Sequence, residues 1–204
     1  MSKKRLIPSL SLALLLVISV PISSVNAGGK WRKRNINWRI AGTIVQLIEV
    51  FSPEDPSNSI GFHSLINLTA RGRPGPAKIT LLSRSISADP ETTSTNLTCE
   101  DGYFLIADFV QNDFVAIFPD QSLLFATIDK VEDGGEGGIL CIGISLDTVG
   151  TTYFKVYMNI TGGKKRFEGA TGHFTAEGYG YPGFSSAGTL VGENGTITGT
   201  IDLD

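Results

Sequence analysis

The chain has 204 residues, 41% hydrophobic and 18% charged, a balance that fits a globular protein and excludes a disordered one. Its 24 glycines carry no Gly-X-Y period, which excludes collagen. The formal net charge is −3; without the first 27 residues it is near −6, from 14 basic against 20 acidic side chains, which argues against a nucleic-acid partner.

The first segment reads as a secretory signal. Lys3-Lys4-Arg5 is a positive n-region, Leu6 to Val20 is an apolar run, Pro21 breaks it, and Val25-Asn26-Ala27 places small residues before Gly28. Cleavage after about Ala27 and export, to the periplasm or the medium, are expected. The run falls short of the roughly 20 residues of a membrane span, so no integral span is expected after cleavage. An uncleaved N-terminal anchor is the alternative. No Cys follows the small residues, so a lipoprotein anchor there is excluded. Export bears on the two cysteines: an oxidising compartment permits a Cys99–Cys141 bridge, while two buried, unpaired thiols on separate strands remain open. Neither has metal-ligand spacing or a nearby His.

Residues 28–37, with Lys30, Arg32, Lys33 and Arg34, read as a basic flexible leader. Together with Arg39 this stretch is either simply solvated or in contact with an acidic surface or lipid headgroups. Residues 38–204 form one domain. Trp38 to Phe51 is rich in β-branched residues and stops at Ser52-Pro53-Glu54-Asp55-Pro56. Ile60 to Ala70 stops at the prolines of 71–76, and Ala77 to Ser87 leads into a polar loop through Thr95. Gly102 to Phe109, Phe114 to Phe118 and Ser122 to Lys130 read as three short strands, with a turn at Asn112-Asp113; a helix near 105–118 is the competing reading. The glycine-rich loop 132–138 precedes Ile139 to Leu146. In Tyr153 to Ile160 the even positions are apolar, and in Thr196 to Leu203 Ile197, Gly199, Ile201 and Leu203 share a face; both show the period of two of a half-buried strand. Nine to eleven short strands without a clear helix predict an all-β fold, a sandwich or an antiparallel closed barrel of about eight or more strands. A last strand pairing with an early one would seal such a barrel.

The most specific text is Ile160 to Gly178. Gly162 and Gly163 suit a turn with positive φ, Phe167 suits an anchor in the core, and Gly169 and Gly172 let the backbone pass close to a neighbour. Phe174, Ala176 and Gly178 are expected to face inward. The hairpin Arg166-Phe167-Glu168-Gly169-Ala170-Thr171-Gly172 resembles that of exported bacterial proteins of the allene oxide cyclase/dirigent-like β-barrel group. Gly163-Lys164-Lys165-Arg166 departs from that group's Gly-Thr-Gly-Arg. The resemblance covers 151–204 well and 38–150 only by strand pattern. It implies a small antiparallel barrel, often a homo-oligomer in the plant members, that binds small hydrophobic or phenolic molecules. The plant catalytic residues map onto no position here.

No catalytic residue, cofactor or metal is assigned. His173 has the parity of a solvent-facing residue, His63 has no clear phase, and neither has triad spacing. Gly183-Phe184-Ser185-Ser186-Ala187-Gly188 is not a nucleophile elbow. Asp129, Glu132, Asp133 and Glu136 lack the alternating spacing of a calcium loop and read as a solvated hairpin tip. Four Asn-x-Ser/Thr triplets, at Asn67, Asn96, Asn159 and Asn194, matter only if the host glycosylates exported chains. The expectation is a non-enzymatic exported barrel that binds a small apolar ligand or a protein partner. An isomerase or cyclase is the alternative, needing inward polar groups such as Glu49, Gln46 or Glu177. A small outer-membrane barrel is the second alternative, disfavoured by short strands and the ending Ile201-Asp202-Leu203-Asp204.

Overall fold

The computed structural model describes residues 32–55, 59–87, 97–133, 135–185 and 188–203. The segment read as a secretory signal, Lys30, Gln46's side chain and the whole of 88–96, with Asn96, fall outside the described residues or side chains. Nine strands follow in chain order: β1 (Arg32–Phe51), β2 (Ser59–Arg73), β3 (Ala77–Ser87), β4 (Tyr103–Ile117), β5 (Leu123–Ile128), β6 (Gly138–Gly143), β7 (Thr152–Lys164), β8 (Thr171–Ser185) and β9 (Gly188–Leu203). Among the described residues the helical turns are two short 3₁₀ turns, Val131–Asp133 and Lys165–Phe167.

All the pairings are antiparallel, and they close a ring: β3-β2-β1-β9-β8-β7, then β5 and β6, then β4, which returns to β3. An all-antiparallel ring needs an even number of staves. Nine strands satisfy this because β5 and β6 share one position. β5 pairs with Asp113–Ile117 of β4 and with the end of β7, whereas β6 pairs with Tyr103–Asp108 of β4 and the start of β7. The acidic loop is thus an excursion inside one interrupted stave. Gly137 N–H donates to the Asp129 carbonyl (2.8 Å) and pinches it shut. The result is a closed antiparallel barrel of eight staves, sealed where β1 pairs with β9 from Arg32↔Leu203 to Ile44↔Val191.

Register fixes what faces inward. Ile36, Trp38 and Ile40 of β1, Ile66, Leu68 and Ala70 of β2, and Val156, Met158 and Ile160 of β7 are buried, with Ile197 and Ile201 of β9 opposite them. Alternating Arg, Asn and Thr on β1 and β9 are exposed. Two sequence readings change. Arg32 to Asn37 belong to β1 and pair with β9 from Arg32↔Leu203 onward. Their charges sit on the outer wall and the barrel end, so an outward-facing strand segment was read as a tail. β4 also runs unbroken through Asn112-Asp113, so the two strands and turn expected there are one strand. Asn112 occupies an inward position between Phe109 and Phe114.

A second, smaller cluster lies outside the ring. Ile139, Cys141 and Tyr153 are buried beneath residues 97–103, which lap over the outer wall. Cys99 and Cys141 are bridged, closing a sequence separation of 42. Tyr103, Tyr153 and Tyr179 meet at centroid distances of 5.6–6.1 Å. The Tyr179 hydroxyl donates to Glu100 Oε2 at 2.6 Å.

Candidate functional site

The two ends of the barrel differ. One end, where β1 starts and β2–β3 and β7–β8 turn, is plugged by aromatic rings. Phe118 packs between Trp38 (5.9 Å) and Phe167 (4.7 Å), and the Trp38 indole N–H donates to the Gly75 carbonyl at 2.7 Å. The Arg166 guanidinium covers both phenyl rings, 4.4 Å from Phe118 and 4.8 Å from Phe167, and pairs with Asp120 at 3.4 Å. Four carboxylate contacts, led by the Ser122 backbone N–H, hold Asp120 below its usual range.

The Gly-rich hairpin builds this plug. Phe167 is fully buried, and Gly162 (φ +142°), Gly169 (φ +73°) and Gly172 (φ +125°) take conformations that favour glycine. Gly163 does not have a positive φ; it is required because a Cβ there would strike the Leu123 carbonyl and Phe167. The left-handed residue in the turn is Lys165 (φ +57°), at the point where the sequence departs from the resembled hairpin.

Toward the other end the interior is hollow. A cavity of about 220 Å³ lies above the Phe114–Phe174 pair, whose centroids are 5.0 Å apart. Its wall is mostly Ile, Leu, Val, Met and Phe, including Phe154, Val156, Met158, Phe174, Ala176 and Ile197, so the inward parities expected for β7, β8 and β9 are the ones observed. This volume exceeds the ~150 Å³ cavity that holds benzene and falls below the ~300 Å³ at which pockets for drug-sized ligands begin.

A short polar row crosses this apolar wall. Ser64, Ser83 and Asn112 are register partners on β2, β3 and β4, and all three line the cavity. Asn112 is 1% exposed, and neither its Nδ2 nor its Oδ1 has a hydrogen-bond partner; Ser83 Oγ is likewise buried and unpartnered. Such groups are rare in folded proteins because each costs the desolvation of a donor or acceptor. Glu193 of β9 also lines the cavity, and burial pushes its carboxyl up to about 7. Together these groups offer donors and acceptors inside a greasy chamber. They can orient one polar group on an otherwise apolar molecule.

The residues singled out from sequence lie elsewhere. Glu49 is exposed, opposite Phe62 at the rim, and Glu177 pairs with Lys155 at 3.8 Å. His63 and His173 are exposed on β2 and β8. Asp129 fastens its own loop, accepting from Asn159 Nδ2 (2.9 Å) and from the Glu136 backbone N–H (3.4 Å). Asn67, Asn159 and Asn194 are exposed. Among the described residues no helix is long and apolar enough to cross a membrane, which says nothing about strands.

No protein-family model matches the sequence, and no curated protein matches it significantly. Among solved structures the chain is similar to the pterocarpan synthase dirigent protein GePTS1, at 10% identity over 84% of this chain and 86% of that one, with a TM-score of 0.22. Likeness at that level carries no functional weight.

Proposed function

We propose that the protein is an exported, non-enzymatic barrel that holds one small, largely apolar molecule carrying a single polar group. The observation that carries this reading is the Asn112–Ser83 pair: two register partners with three unpartnered polar atoms, facing an apolar cavity of about 220 Å³. A bound carbonyl, hydroxyl or amide would satisfy them, and the Ile, Phe and Val wall would take the rest. The rim supports access from the same end: Ile60, Ile86, Ile144 and Leu146 are exposed there. The bridge between Cys99 and Cys141 and the N-terminal signal pattern support export. The inward apolar, outward polar alternation of β1 and β9 is the reverse of what a lipid-embedded barrel needs.

One observation favours a second reading, the isomerase or cyclase: Glu193, at about 7, is near the range of a general acid or base at neutral pH. Titration calorimetry of the purified protein with benzyl alcohol and toluene separates these ideas from a filled, structural core. Binding of both, with benzyl alcohol tighter, and its abolition by the cavity-filling Ala176→Phe, are expected. No heat with either probe would remove the binding reading. Retained benzyl alcohol affinity in Glu193→Gln is expected if Asn112 and Ser83 hold the polar group.

A further inference from the structure

Barrel closure gathers the basic side chains at the plugged end. Arg39 of β1 and Arg71 of β2 are direct register partners, both exposed on the outer wall. Arg73 and Lys78 follow on the same wall, opposite Asn37 and Thr69. Like charges placed directly across an antiparallel pair are destabilising, and among the described residues none of these four forms an ion pair with a carboxylate. The described ion pairs, Lys155–Glu177 and Arg166–Asp120, use other cations. Arg34 adds a further exposed cation at the same end. Of the described carboxylates there, Asp120 is taken by Arg166, Asp202 lies opposite Lys33, and Glu168 is exposed on the hairpin beside Lys164 and Lys165. The described loops of the other end, within 52–55, 97–102 and 144–151, hold Glu54, Asp55, Glu100, Asp101 and Asp147 and no Lys or Arg. The molecule is electrically polar along its axis.

We propose that the plugged end docks onto the anionic headgroup surface of a lipid bilayer. Charge complementarity supplies the attraction, and arginine suits phosphate because its fork binds bidentately. A surface suits the arrangement better than a polymer strand: the cations are spread over the wall around an end filled by Trp38, Phe118 and Phe167, and one of them, Arg39, also lines a surface pocket beside Glu100 and Glu177. The proposal is independent of what the cavity holds.

Co-sedimentation of the chain from Gly28 onward with phosphatidylcholine vesicles, with and without phosphatidylglycerol, tests it. Headgroup charge is the one variable between the two vesicle types, so the difference between them reports the cations. Each Lys or Arg near an anionic surface is worth roughly fivefold in partitioning, so a preference for the phosphatidylglycerol vesicles of at least about tenfold is expected. It should fade with added salt. Combined Arg39→Gln, Arg71→Gln, Arg73→Gln and Lys78→Gln should remove most of it, leaving the roughly fivefold or smaller residue that Arg34 sustains. The smaller Arg73→Gln/Lys78→Gln variant should reduce it partway, and Lys130→Gln/Lys155→Gln, cations elsewhere on the barrel, should leave it unchanged. Circular dichroism checks that each variant keeps the barrel. Equal partitioning on both vesicles, or a fourfold variant that keeps the barrel and the full preference, would overturn the proposal. Binding to soluble dextran sulfate without a preference for anionic vesicles would also overturn it, in favour of a polymer.

Discussion

Asn112 and Ser83 set the chemistry of the cavity through atoms that the fold leaves unused. Replacing Asn112 with Leu removes two of those atoms at similar volume. The variant is expected to be more stable than the parent by about 1–2 kcal/mol in urea unfolding, because a buried unpaired amide is costly, and to bind benzyl alcohol more weakly while toluene affinity holds. Lower stability would mean that the amide has a partner in the folded protein. Glu193 makes a pH prediction. Burial pushes its carboxyl from 4.5 to about 7, so the folded state holds this proton more tightly than the unfolded chain. Below its unfolded value both states are protonated and nothing is lost. Stability then falls as pH rises through the window from 4.5 to about 7, by roughly 3 kcal/mol. Glu193→Gln should flatten that part of the stability profile, as read from urea midpoints across pH. An unchanged profile would place the carboxyl in water.

The hairpin between β7 and β8 and the segment over the outer wall are the elements on which the two ends depend. Phe167 is fully buried in the plug, so Phe167→Ala is expected to cost about 3–5 kcal/mol. Gly172→Ala should be similarly severe, since its Cβ would collide with the Thr200 carbonyl at a φ of +125°. Thermal melting of either variant checks this. Reduction of the Cys99–Cys141 bridge, or its replacement by two serines, should cost about 4 kcal/mol in the chain-entropy picture. It should also loosen the Tyr103–Tyr153–Tyr179 cluster, whose Tyr153 and Tyr179 hydroxyls are pushed up to about 12, by burial first for Tyr153 and by the Glu100 hydrogen bond first for Tyr179. A rise in tyrosine ionisation near pH 10 on reduction is the spectroscopic sign. The strands of these elements were legible because Phe154, Val156, Met158 and Ile197, Ile201 alternate cleanly. β4 was not. Asn112-Asp113 between aromatics carries the composition of a turn, and only the register against Ser83 shows that Asn112 points inward. The site's polar groups were missed for the same reason. An inward Asn or Ser looks like any loop residue until its strand neighbours are known.

Across the whole molecule, closure decides what each end can do. β1 pairs with β9 from Arg32 to Ile44 and converts a basic N-terminal stretch, which in sequence looks like a tail, into the wall of a closed barrel. The barrel class was legible from alternation and glycine turns. The sharing of one stave by β5 and β6 was not, because it depends on β4 and β7 being long enough to pair with both. Aromatic side chains then fill one half and leave the other hollow. Side-chain amide and methyl spectra of the labelled protein, recorded during titration with benzyl alcohol, test that asymmetry most directly. Shifts at the Asn112 side-chain amide and at the methyls of Leu81, Val156 and Met158, with the Trp38 indole unmoved, are the expected result. Movement of Trp38 without any change at Asn112, or no saturable shift in either half, would contradict a ligand chamber above an aromatic plug.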